Sequence, residues 1–382
     1  MCGSIDFEPV LSLDSLPVAI NAQTTAEEAT SVPVGDMELV VCTDCSHLYN
    51  AAFDPALSEY DASYENSLHF SNHFQTHARA LADRLITDHG LAGATVAEAG
   101  SGPGHFLAML CEAGVGAAYG FDPSYDPDRL GAPEHAAVTL SSELFPTDGS
   151  LAPKLAFSQH VLEHLMAPVE LLATLRDAVA TTEGGAVYSE VPNGEVMIDR
   201  CALWDLIYEH YSYFTPVSLR LAAARAGLTA ERTLTAFDDQ FLSLESAPTA
   251  SSDELPDRAV VGELVERAVA FGELARKRIE GARTELDAYA ARGPVALWGA
   301  GSKGMTYLNL VASDGGIDAI VDVNPRKAGY GVPGVAGTIT GPEALTEVQP
   351  TTVLIANPVY ADEIRQSLAG LGVEAEVTAL WD

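Results

Sequence analysis

The run from Val96 to Leu107, Val-Ala-Glu-Ala-Gly-Ser-Gly-Pro-Gly-His-Phe-Leu, constrains this chain more than any other stretch. An apolar segment leads into Glu98, and three glycines follow at alternate positions: Gly100, Gly102 and Gly104. Helix-like sequence comes next, then a short strand-like segment, Tyr119-Gly-Phe-Asp122. Strand, glycine turn, helix and strand make the first crossover of a doubly wound α/β sheet of the kind that binds a nucleoside. Glycine lets the backbone turn tightly against a ligand. An acid closing the second strand, Asp122, can accept hydrogen bonds from two ribose hydroxyls. The spacing is Glu-x-Gly-x-Gly-x-Gly, which differs from the dinucleotide fingerprint Gly-x-Gly-x-x-Gly.

A length of 382 residues allows two or three domains with full cores. There are 54 acidic residues against 20 Lys and Arg, a formal net charge of -34. Such a surface repels nucleic-acid phosphates and anionic membranes, which argues against a DNA or RNA substrate; solubility is the plain reading of the acidity. The first ten residues carry no basic region and no apolar core, and no apolar run reaches membrane-spanning length. The expected location is therefore cytoplasmic, with no membrane or nucleic-acid partner.

Five cysteines, an odd number, argue against a disulfide framework in such a chain. Cys42-Thr-Asp-Cys45 is a Cys-x-x-Cys knuckle in a polar setting. A structural zinc ion takes four ligands. Cys2 offers a third and His47 a fourth; the alternative is a knuckle that no longer holds metal. The segment Ser46 to Asn50 reads as a strand, which disfavours a thioredoxin-like redox pair.

Three units follow along the chain. Residues 1–70 read as a short, Pro-dotted, irregular domain, 71–250 as the α/β domain with the glycine turn, and 251–382 as a second α/β domain led by a linking helix. In the middle unit, Phe74, Ala78, Leu81 and Leu85 lie at helical spacing. Strand-like runs at 138–140, 155–157 and 185–191 alternate with helical patterns, as in a parallel sheet covered on both faces. The last unit carries Trp298-Gly-Ala-Gly-Ser-Lys-Gly304 after an apolar strand. Gly299, Gly301 and Gly304 do fit Gly-x-Gly-x-x-Gly, and Asp322 ends the next strand. Gly301, Ser302 and Lys303 could hold a pyrophosphate at a helix N-terminus, with Asn357 facing the same crevice. Three readings stay open for this loop: a dehydrogenase domain using NAD, a nucleotide-sugar site, or a relic of the fold.

Two polar clusters remain. His160-Val-Leu-Glu-His164 matches the inverted zinc-protease pattern in letters, but His160 lies just past a strand, where such sheets keep their ligand crevice. Tyr208-Glu-His-Tyr-Ser-Tyr213 follows another strand. His210 could take a proton near neutral pH, a carboxylate such as Glu209 could orient it, and tyrosine hydroxyls could stabilise an enolate oxygen.

The Glu98–Gly104 motif resembles motif I of class I S-adenosylmethionine (SAM) methyltransferases. The whole order also resembles the three-domain sugar C-methyltransferases: cysteine knuckle, glycine turn, His160–His164, Tyr208–Phe214 and Trp298–Gly304. Those enzymes methylate a carbon beside the ketone of a nucleotide-linked keto-deoxysugar. The resemblance implies SAM on Glu98, Gly100, Ser101, Gly102, Gly104, Asp122 and His160. It implies the sugar nucleotide between the second and third domains, His210 as base, and Glu209, Tyr208 and Tyr64 around the keto sugar. It also implies zinc on Cys2, Cys42 and Cys45. The segment before the base is one residue tighter than the family's Tyr-His-Glu-His, and the family's first zinc-ligand cysteine would lie before Met1. An NAD-dependent oxidoreductase, or a methyltransferase with a non-sugar acceptor, is the alternative.

Overall fold

The computed structural model describes residues 1–57, 67–249, 254–313 and 315–381. Its first domain departs from the sequence expectation. Instead of irregular chain it holds two long antiparallel strands, β1 (Phe7–Pro17) and β2 (Val34–Cys42), with β3 (Leu48–Asn50) beside them. The apolar residues of β1 do not alternate cleanly, because the β1–β2 ladder shifts register between Pro9 and Leu11 and again between Leu13 and Leu16.

The middle domain begins with α1 (Asn72–His89), capped by Ser71 at one end and by left-handed Gly90 at the other. There follow β4 (Thr95–Ala99), α2 (His105–Glu112), β5 (Ala117–Phe121), the single turn α3 (Pro127–Leu130) and β6 (Val138–Ser141). The chain continues through β7 (Leu155–Gln159), α4 (Pro168–Val179), β8 (Ala186–Pro192), α5 (Gly194–Arg200), β9 (Ser212–Tyr213) and α6 (Pro216–Arg225). A hairpin of β10 (Thr229–Ala236) and β11 (Phe241–Ala247) completes it. The seven-stranded sheet runs β10-β11-β8-β7-β4-β5-β6, with β11 antiparallel to its neighbours. Strand order turns back between β4 and β7, so their carboxyl ends flank the crevice where ligands bind in such sheets. The two-residue β9 leaves this domain and pairs with β3 of the first.

The third domain starts with α7 (Arg258–Ala290), a 33-residue helix. Its sheet contains β12 (Val295–Trp298), followed by α8 (Ser302–Leu310), and β13 (Ala319–Val321). Next come β14 (Gly331–Val332), β15 (Val335–Thr340), α9 (Leu345–Val348), β16 (Thr352–Ile355), α10 (Ala361–Leu371) and β17 (Glu376–Ala379). Its order is β14-β15-β13-β12-β16-β17, so a second switch point lies between β12 and β16. Residues of β1, α5, α7 and this sheet share one buried core, which joins the first and third domains.

Candidate active site

β4 is buried along almost its whole length and delivers Glu98 to the mouth of the first crevice. Gly100, Gly102 and Gly104 all have positive φ, at 75, 50 and 76°. A Cβ on Gly100 would also fall 2.2 Å from Val161. The turn therefore demands glycine on backbone grounds. Asp122, just past β5, reaches back across it. Its carboxylate accepts from Gly102 N at 2.7 Å, from Ser124 N at 2.8 Å and from Ser124 Oγ at 2.6 Å. Glu98 is buried, and burial, with Asp122 and Glu190 adding to it, pushes its carboxyl well above the usual range. Among the described residues, Glu98 Oε2 and Ser101 Oγ are buried without a hydrogen-bond partner.

His160 has a left-handed backbone, φ 54°, just past β7. Its ring lies 3.6 Å from Glu163 and 3.5 Å from Glu190, stacked edge-on to Phe241. Burial opposes its charge, but the two carboxylates outweigh burial and hold its pKa up at about 10. Glu190 is further fixed by the Tyr188 hydroxyl, which donates at 2.6 Å.

The segment carrying His210 is clamped from both sides. Tyr208 Oη accepts from Asp54 N at 2.8 Å, and its ring packs where any side chain on Gly35 would stand. Ser212 and Tyr213 are strand partners of β3. Between these anchors, His210 Nδ1 donates to the Asp205 carbonyl at 3.0 Å, and His164 Nδ1 donates to the Glu209 carbonyl at 2.9 Å. A carbonyl can only accept, so these contacts fix both tautomers and put the basic lone pair on Nε2. The two rings meet edge-on at 4.9 Å, beside the buried carboxylate of Glu163. Burial drives His210 down to about 3, with His164 acting the same way and Glu163 opposing, so the ring is neutral. Glu209 is pushed by burial up to about 8, eased by a backbone hydrogen bond from Ile20 and by Lys327. Burial thus favours the protonated form of its carboxyl.

Tyr208 is thus placed differently from the sequence expectation: its hydroxyl is engaged with the first domain's backbone. Tyr64 lies outside the described residues. His164 is the residue the sequence reading passed over. Its letters were visible in the His-x-x-Glu-His pattern, but its meeting with His210 requires the folded loop.

The third domain closes against this region. Gly301 precedes α8, and Ser302 and Lys303 form its first turn. Ser302 Oγ accepts from Asn21 at 3.0 Å. Lys303 is half-buried, 4.5 Å above the Trp204 ring, and desolvation brings its pKa down to about 8 despite Asp205. Asn357 and Gln240, from the two domains, exchange amide hydrogen bonds at 3.1 and 3.2 Å. Asp322 repeats the device of Asp122, accepting from Ala300 N at 2.7 Å and Asn324 N at 2.8 Å.

Two family models match the chain: a methyltransferase domain over residues 71–233, and a C-methyltransferase C-terminal domain over residues 265–375. The middle segment of the chain is similar to methyltransferase domains. Similar solved structures include a putative methyltransferase of Haloferax volcanii, in complex with the Trm112 activator, at 16% identity and TM-score 0.35, covering 47% of this chain and 99% of that one. Another is the 1,6-didemethyltoxoflavin N1-methyltransferase of Burkholderia thailandensis, at 18% and 0.36, covering 47% and 81%. A third is the magnesium protoporphyrin IX methyltransferase of Synechocystis PCC 6803, at 17% and 0.34, covering 46% and 83%. No curated protein matches the chain.

In the methyltransferase domain the residues present fit SAM. The positive-φ glycines leave room for close backbone approach, and the orphaned oxygens of Glu98 and Ser101 await a polar ligand. The C-terminal glycine loop belongs to the segment matched by the C-methyltransferase model, and nothing in the comparisons supports the dehydrogenase alternative. In the first domain, the sulfur atoms of Cys2, Cys42 and Cys45 lie within 4.8 Å of one another and could hold three corners of a zinc site. Among the described residues His47 does not join this cluster, and its Nε2 lies 3.2 Å from Ser212 Oγ. Among the described residues, no helix is long and apolar enough to cross a membrane.

Proposed function

We propose that this chain is a SAM-dependent C-methyltransferase acting on a carbon beside a ketone, with a nucleotide-linked keto-deoxysugar as acceptor. The observation that carries the reading is His210, a buried imidazole whose Nδ1–H is tied to the Asp205 carbonyl, so that Nε2 is the nitrogen that can accept a proton. The second family match, to a C-methyltransferase C-terminal domain, supports carbon as the atom methylated.

In this reading His210 Nε2 takes the proton from the carbon, and the imidazolium formed is stabilised by the Glu163 carboxylate. Glu209, whose protonated form burial favours, is the donor available for the oxyanion that develops on the ketone. Glu98, Ser101 and Asp122 hold and orient the cofactor. Bound SAM supplies the electrophilic methyl group. The nucleotide lies between the two switch points, near α8 and Asn357, where Lys303 could meet its diphosphate.

Incubation of keto-deoxysugar nucleotides in deuterated water without SAM tests the first step. The wild type should exchange the hydrogen beside the ketone and His210→Asn should not. With SAM added, the acceptor should gain a single methyl on carbon. Neither exchange nor mass gain across a panel of such acceptors would end the reading. Calorimetric titration of thymidine diphosphate into protein saturated with S-adenosylhomocysteine tests the acceptor class separately. Binding lost in Lys303→Ala supports a nucleotide sugar, and no binding beside a full cofactor site removes it.

A further inference from the structure

The histidine pair in the crevice carries a feature that proton abstraction by itself does not need. Both rings donate Nδ1–H to backbone carbonyls, His164 to Glu209 and His210 to Asp205, at 2.9 and 3.0 Å. Metal-ligating histidines make this same outer contact, which sets ring orientation and turns the Nε2 lone pair toward the ion. The third member is Glu163, whose Oε1 is 4.0 Å from His164 Nε2. Its other oxygen, Oε2, is buried with no hydrogen-bond partner among the described residues. One donor atom from each of Glu163, His164 and His210 falls within 4.8 Å of the others.

We propose that Glu163, His164 and His210 form a binding site for a divalent d-block cation of the zinc class, separate from the cysteine cluster, and that its occupation stops proton abstraction by His210. Two imidazoles and one carboxylate are a donor set for zinc and its neighbours, and three protein ligands leave one position for water or a substrate oxygen. Tetrahedral bonds of about 2.1 Å set ligand atoms roughly 3.4 Å apart. The present spread, within 4.8 Å, thus has to tighten by no more than about 1.4 Å between ligand atoms. His160 also holds Glu163, at 3.6 Å, so an arriving cation competes with His160 for that carboxylate. The blocking follows from electron count. Nε2 of neutral His210 has one lone pair, and a lone pair given to a metal is not available to a carbon-bound proton. This second half rests on the base assignment of His210; the binding half does not.

Cobalt(II) titrated into the full chain tests the binding half. The cysteine cluster gives sulfur-to-metal charge-transfer absorption, whereas the nitrogen–oxygen site gives d–d bands without it. Wild type should take up one more equivalent than Glu163→Gln, and the charge-transfer band should be the same in both. In Cys42→Ser/Cys45→Ser the equivalent without charge transfer should remain. Should that variant fail to fold, the wild-type and Glu163→Gln pair still decides. Equal uptake by those two proteins would overturn the site. For the second half, zinc should lower turnover in step with occupancy of the cysteine-independent site. Full occupancy with unchanged turnover would overturn the blocking while leaving the site. If His210→Asn retained its rate, the base reading would fall, and the cobalt result would stand by itself.

Discussion

At the level of single side chains, His210 and Asp122 should separate chemistry from cofactor binding. General-base catalysis contributes about 10²–10⁴-fold. His210→Asn should therefore cut turnover by that order while S-adenosylhomocysteine affinity, measured by calorimetry, stays close to wild type. Asn keeps a donor toward the Asp205 carbonyl but offers no basic nitrogen. Near-normal turnover would remove His210 from the base role. Asp122→Ala loses a charged acceptor that now holds Gly102 N and Ser124. Hydrogen bonds to charged groups are worth about 1.5–3 kcal/mol, so cofactor affinity should fall at least about tenfold. Unchanged affinity would mean that Asp122 serves the glycine turn and not the ribose. The positions of both residues were legible in the sequence because their neighbours in the chain define their place; their roles are what these variants test. Tyr208's place was not. It is as aromatic and polar as a site residue, but its hydroxyl meets Asp54, which only the folded first domain brings to it.

Between elements, α1 is fastened to the β10–β11 hairpin by two carboxylates, Asp88 of the helix on Arg232 and Glu245 of β11. Glu245 pairs with Arg84 and His89 from the helix and Arg232 from β10. Burial works against its charge, but His89, Arg232 and Arg84 outweigh burial and bring its pKa down to about 2. A carboxylate whose folded pKa is depressed contributes stability that is fully present above its unfolded pKa, near 4.3, and lost as pH falls through the folded value. Glu245→Gln should cost about 2 kcal/mol at pH 7, seen as a lower urea midpoint. The gap between variant and wild type should narrow from about pH 4 toward pH 2. A gap that did not change with pH would show that packing, not charge, is what Gln disturbs. α1 itself was readable, since its apolar stripe has helical period. β1 was not, because two register shifts and left-handed Ser15 break the alternation that a strand is read from.

Across the whole molecule, α7 is the spine on which the first and third domains are joined. Its buried residues, Val261, Leu264, Ala268, Phe271, Ala275, Ile279, Ala282 and Leu286, follow steps of three and four along one face. Periodicity fits a long helix but does not say what it would pack on, because one of its partners, β1, lies more than two hundred residues away in the chain. One tight approach is at Gly272, where an added Cβ would fall 1.8 Å from the carbonyl oxygen of Val10. That neighbour is backbone in β1 and cannot move without shifting the sheet. Gly262, on the same helix, has open space where its Cβ would stand. Glycine to alanine inside a helix gains about 0.8–1 kcal/mol when nothing clashes. Overpacking costs about 1–3 kcal/mol, occasionally more. Gly262→Ala should thus raise the thermal midpoint slightly, and Gly272→Ala should lower it, although the helix propensity change is identical. Because the shared core links the two domains, the Gly272→Ala loss should appear together in hydrogen exchange of β1–β2 and of β12. Equal midpoints for the two variants would mean that the first domain does not rest on α7 in solution. A loss confined to β1–β2 would mean that the sheet rests there but that the third domain keeps its stability independently.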